Sequence, residues 1–86
     1  MDDLNERAES VANRKQFIDF VELLIADYRA QPAKWENRDL ESFLNGLSGF
    51  ARDMDGYYKN TGQSVDVEMI TWRMAAELLL AASVYE

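Results

Sequence analysis

Between Trp72 and Tyr85 the chain reads WRMAAELLLAASVY, and only Arg73, Glu77 and Ser83 are clearly polar in it. At helical spacing, Trp72, Ala75, Ala76, Leu79 and Ala82 form one face, and Met74, Leu78, Ala81 and Tyr85 form another. A helix that is apolar nearly all round must be buried among other elements or covered by a second subunit. The run is too short for a bilayer and is interrupted by Glu77, so a membrane span is not expected. The feature predicts a small all-α bundle with a helix over about 72–85 at its centre, capped at its start by Thr71.

Two further helices are predicted around it. Asn13, with Gln16 three residues on, has the pattern of a capping box. Phe17, Phe20, Val21, Leu24 and Tyr28 follow at helical spacing, and Ile18 and Ile25 widen the stripe. Pro32 disfavours helical geometry in the residue before it, so this helix should span about 14–31. Asn37 reads as the next N-cap. Leu40, Phe43, Leu44, Leu47, Phe50, Ala51 and Met54 then keep a helical period, giving a helix over about 38–54. Gly46 and Gly49 interrupt it, each at a cost of about 1 kcal/mol relative to alanine. They either admit a second helix at close range or mark a bend. Leu4, Ala8 and Val11 suit a short N-terminal helix with few large side chains to pack.

The segment from Asp53 to Glu68, DMDGYYKNTGQSVDVE, reads as loop, because Gly56, Asn60 and Gly62 are turn formers. Tyr57 and Tyr58 would then point opposite ways on an extended backbone. Asp53 and Asp55 suggest a calcium loop, but an EF-hand needs glycine at position six and glutamate at position twelve. Counted from Asp53, the glycine falls at position four and Ser64 at position twelve, so a helix end and turn is the better reading.

Composition narrows the chemistry. The 86 residues contain no cysteine and no histidine. Thiolate chemistry, disulfides and the commonest metal ligand are therefore absent. Carboxylate pairs such as Asp19 with Glu22, or Glu6 with Glu9, lie on outward helix faces. Di-metal bundles need inward Glu-x-x-His repeats instead. No phosphate loop or nucleophile elbow is present. An enzyme is not expected, nor any metal or cofactor. Sixteen acids against nine bases give a net charge of −7, which disfavours nucleic acid and anionic membranes. The acidic start MDDLNERAES has no apolar core region, so no signal peptide is expected. A soluble, cytoplasmic, bacterial single domain over 1–86 is the expectation.

Several separated stretches carry a resemblance: FIDFVELL, then WENRDLESFL, then DMDGYY, then TWRMAAELLLAASVYE. In this order they resemble a family of short uncharacterised bacterial proteins, a domain of unknown function. That family has a Trp-Glu-Asn motif and closes on a tryptophan-led helix ending in Tyr-Glu. Here the matching positions are Trp35, Glu36, Asn37, Trp72, Tyr85 and Glu86, with the likeness running from about Asn13 to Glu86. It implies a shared compact helical fold and no assigned activity, cofactor or site residue.

The functional expectation is a protein-binding module. Trp35 sits in a short joint between two helices, where it locks the end of the groove between them or anchors a partner. With Glu36, Tyr57, Tyr58, Asp53 and Asp55 it makes the candidate partner-binding set. The specific version is an immunity-type or inhibitor protein whose acidic face meets a basic partner. The alternative is a self-associating homodimer through the last helix and the Gly46/Gly49 pair, with Tyr85 either docked in the core or used between subunits.

Overall fold

The computed structural model describes residues 3–85. Four helices follow in order: α1, Asp3–Glu9; α2, Arg14–Ala30; α3, Leu40–Asn60; and α4, Trp72–Ala82. A 3-10 turn, Pro32–Lys34, lies between α2 and α3, and no strand occurs among the described residues. The all-α expectation holds, and α4 is the central element. Helices α1, α2 and α3 each pack on α4, while no Cα of α2 comes within 8 Å of a Cα of α3.

Local chemistry sets the helix starts. The Gln16 amide donates to Asn13 Oδ1 at 2.9 Å, and Gln16 Oε1 accepts from the Ala12 amide at 2.8 Å. This is the expected capping box with its return bond moved one residue upstream. Thr71 caps α4 as expected, accepting from the Met74 amide at 3.0 Å. The α3 cap is Asp39, which accepts from the Ser42 amide at 2.7 Å; it is not Asn37.

Helix α3 runs six residues beyond its expected end, into the stretch read as loop, of which 61–68 are irregular as expected. Gly56 disfavours helix there by about 1 kcal/mol, but burial opposes it. Phe50, Met54 and Tyr58, at steps of four, are all buried together with Met74 of α4. The helix stops at Gly62, whose φ of 76° is open to glycine without strain. The Gln63 amide reaches Tyr58 O at 2.9 Å and the Gly62 amide reaches Lys59 O at 3.1 Å, a Schellman closure.

Two core clusters flank α4. One joins Ala8, Val11, Phe20 and Leu24 to Ala76; the other joins Phe50, Met54 and Tyr58 to Met74. Helix α1 packs on α4 with Ala8 buried, and Val11, which lies beyond the helix end and not on it as expected, is buried in the same cluster.

The paired glycines of α3 admit the end of α4 at close range. A Cβ on Gly46 would lie 2.6 Å from the Ala82 carbonyl oxygen and 2.6 Å from Asn37 Nδ2. A Cβ on Gly49 would lie 3.1 Å from the Tyr85 ring. Asn37 fills the corner so formed. Its Nδ2 donates to the carbonyls of Ala82 at 2.9 Å and Tyr85 at 2.7 Å, and its amide donates to Ser83 O at 2.9 Å. The residue expected to begin α3 therefore ends α4, satisfying carbonyls that a helix C-terminus leaves open. Tyr85 docks within the chain, edge-on to Phe50, and its hydroxyl donates to Asp53.

Candidate functional site

Because the backbones of α2 and α3 stay more than 8 Å apart, a groove lies open between them over α4. Its volume is about 470 Å³. Leu79 of α4 contributes to the floor, Val21, Ile25 and Tyr28 line one wall, and Leu40 and Phe43 line the other. The walls are apolar and partly wet: Ile25 is 46% exposed, Tyr28 38% and Leu40 72%. Leu44, one turn beyond Leu40, and Ile18, two turns before Ile25, extend the exposed apolar surface along each helix.

Trp35 closes one end of this groove. Its ring lies nearly parallel to Phe43, with centroids 6.3 Å apart, and edge-on to Tyr28 at 5.3 Å. Its indole N–H donates to Asp27 Oδ2 at 2.8 Å, so a carboxylate on the last turns of α2 holds the plug in place. The polar rim is Arg29, Arg38 and Asp39. Neither arginine has an ion-pair partner among the described residues. The Asp39 carboxyl is held below the usual carboxylate range by the Ser42 amide and then by the Ser42 hydroxyl.

The remaining expected site residues lie elsewhere. Tyr57 and Tyr58 are on α3, not on a loop, and from Phe43 to Tyr57 the helix rises roughly 21 Å. Tyr57 is partly exposed, edge-on to Phe50 and to Tyr58. Tyr58 is fully inside; its hydroxyl donates to Glu77 Oε1 at 2.5 Å. Arg73 Nε donates to the other Glu77 oxygen at 3.1 Å, so the buried carboxylate is paired on both sides. Burial first, and then the Glu77 carboxylate, push the Tyr58 hydroxyl far above the ordinary tyrosine range. Asp53 accepts from Tyr85, and Asp55 pairs with Lys59 at 3.3 Å. Glu36 stays exposed beside Trp35. A single aromatic patch joining Trp35 to Tyr57 and Tyr58 is therefore not formed.

Sequence reasoning missed the groove walls. The available signal was the width of the α2 stripe: Ile18, Val21, Ile25 and Tyr28 form an apolar row beside the one that carries Phe20 and Leu24 into the core. Among the described residues, no group of three or more Asp or Glu side chains is placed to hold a metal ion. No helix among them is long and apolar enough to cross a membrane.

The fold and the groove define a small all-α domain with an open apolar groove. Residues 13–86 match a family model described as a family of unknown function, DUF7660, and the chain belongs to that family. No curated protein and no solved structure matches the chain.

Proposed function

We propose that the chain is a non-enzymatic protein-binding module, and that its groove receives one apolar face of a partner helix. The observation that carries this reading is the separation of α2 from α3, which leaves Val21, Ile25, Tyr28, Leu40 and Phe43 lining an open trough over Leu79. A groove of this kind suits a helix presenting anchors at i, i+3 or i+4, and i+7. The interior polar groups Tyr58, Glu77 and Arg73 are bonded to one another. The bacterial cytoplasm remains the proposed compartment, in keeping with a cysteine-free, acidic composition.

Charge acts at a different level from the groove. The net −7 attracts basic proteins at long range and repels acidic ones. At contact the rim presents Arg29 and Arg38, so carboxylates beside the apolar stripe are the fitting neighbours.

Panning a displayed library of helical peptides on the wild-type protein tests the reading. The expected peptides carry an apolar stripe, lose about tenfold or more in affinity for Leu40→Asp, and bind Tyr57→Ala unchanged. Selection of no helix, or of helices indifferent to Leu40→Asp, would contradict it.

A further inference from the structure

We propose that the helix seated in this groove is α2 of a second copy, packed antiparallel to the first across a two-fold axis. The proposal rests on the docking reading above and names its occupant. Ile18, Val21, Ile25 and Tyr28 are spaced three, four and three apart, which is the a–d–a–d seam of two heptads. All four lie outside the core clusters, and Ile18, Ile25 and Tyr28 are 48%, 46% and 38% exposed.

The charges beside the seam are self-complementary. Glu22 and Arg29 occupy the same heptad position, one heptad apart, on the exposed edge of α2. Neither has an ion-pair partner among the described residues. Antiparallel pairing centred on Leu23 sets Ile18 against Tyr28 and Val21 against Ile25 of the other copy, and puts Glu22 of each copy on one edge with Arg29 of the other, their side chains leaning toward one another because each leans toward its own N-terminus. Two pairs then form for one contact, as a two-fold interface requires. The other edge of the seam carries Phe17 and Leu24, which face the protein's own interior.

A seam of two heptads is short for an isolated coiled coil. The second wall of the groove supplies the remainder. A helix lying along α2 also meets Leu40, Phe43 and Leu79, and it fills the side of α4 that α1, α2 and α3 leave open. Two bodies of charge −7 repel at long range, and this repulsion is screened over about 8 Å at physiological ionic strength. Association therefore tightens as salt rises from low to physiological levels. A basic partner would show the opposite trend.

Sedimentation equilibrium from micromolar to millimolar protein tests the proposal, with Glu22→Arg and Arg29→Glu as variants at exposed sites. Each variant alone sets like charges opposite one another and should weaken self-association about tenfold. An equimolar mixture of the two restores both pairs, and native mass spectrometry should then show the mixed dimer in preference to either self-dimer. A dimer that ignores both substitutions would overturn the arrangement. A protein that stays monomeric while its groove still binds displayed helices would exclude the second copy and leave the docking reading standing. A monomer that binds no helix would remove both.

Discussion

The side-chain amide of Asn37 donates to the carbonyl oxygen of Ala82, 45 residues along the chain, at 2.9 Å. The same nitrogen reaches the Tyr85 carbonyl at 2.7 Å, and both bonds cross the gap that Gly46 keeps clear. The joint before α3 is thereby fastened to the end of α4, and Trp35, two residues upstream, is set at the end of the groove.

Replacing Asn37 should cost more than its size suggests. Asn37→Ala leaves buried carbonyls unpaired, at about 2–4 kcal/mol. Asn37→Asp should be worse, because its carboxylate faces two carbonyl oxygens and donates nothing. Urea unfolding checks the order: wild type, then alanine, then aspartate, with falling midpoints and an unchanged slope.

The glycines of α3 separate helix propensity from packing. Gly56→Ala has open space around its Cβ and should stabilise the protein by about 1 kcal/mol. Gly46→Ala gains the same propensity but drives a methyl group to 2.6 Å from the Ala82 carbonyl oxygen. Overpacking of that kind costs about 1–3 kcal/mol, so the net change is destabilising. Thermal melts of the two variants should move in opposite directions.

Tyr58 gives stability a defined alkaline edge. Its hydroxyl is raised above the ordinary tyrosine value by burial and then by its bond to Glu77. The folded protein therefore holds this proton where the unfolded chain has released it. The contribution is complete below about pH 10, the unfolded tyrosine value, and is lost as pH rises from there through the folded value. In denaturant titrations, Tyr58→Phe should be less stable than wild type at neutral pH, and the difference should shrink above pH 10. A constant difference across that range would argue against the linkage.

Leu40→Asp should separate binding from folding. Leu40 is 72% exposed at the first position of α3, where a carboxylate complements the helix dipole. Monomer stability should stay within about 0.5 kcal/mol of wild type. Binding in the groove should be lost, because the charge would sit among Ile25, Tyr28 and Phe43. Circular dichroism melts at low protein concentration, beside anisotropy with a selected peptide, check both halves.

The central place of α4 was legible because its apolar residues cover nearly every direction, which only a surrounded helix tolerates. The Asn13 and Thr71 caps were legible because each cap bonds within four residues. Asn37 was not, since its partners lie at the far end of the chain and its type also suits an N-cap. The extension of α3 was hidden by Gly56 and its polar neighbours, although Phe50, Met54 and Tyr58 already kept a four-residue step. The groove was half legible. Trp35, between two predicted helices, reads as the lock of their joint or as an anchor for a partner, and Ile18 and Ile25 widen the α2 stripe. That breadth reads as burial until α3 is found to stand clear of α2.

An isotope-filtered NOE spectrum of the wild-type protein, with half of the molecules carbon-13 labelled, tests most directly whether the groove holds a helix of a second copy. The expected result is cross-molecule contact joining the methyl groups of Leu40 and Leu79 to those of Ile18 and Ile25. A spectrum without such contacts, or with contacts confined to the face around Tyr57, would contradict it.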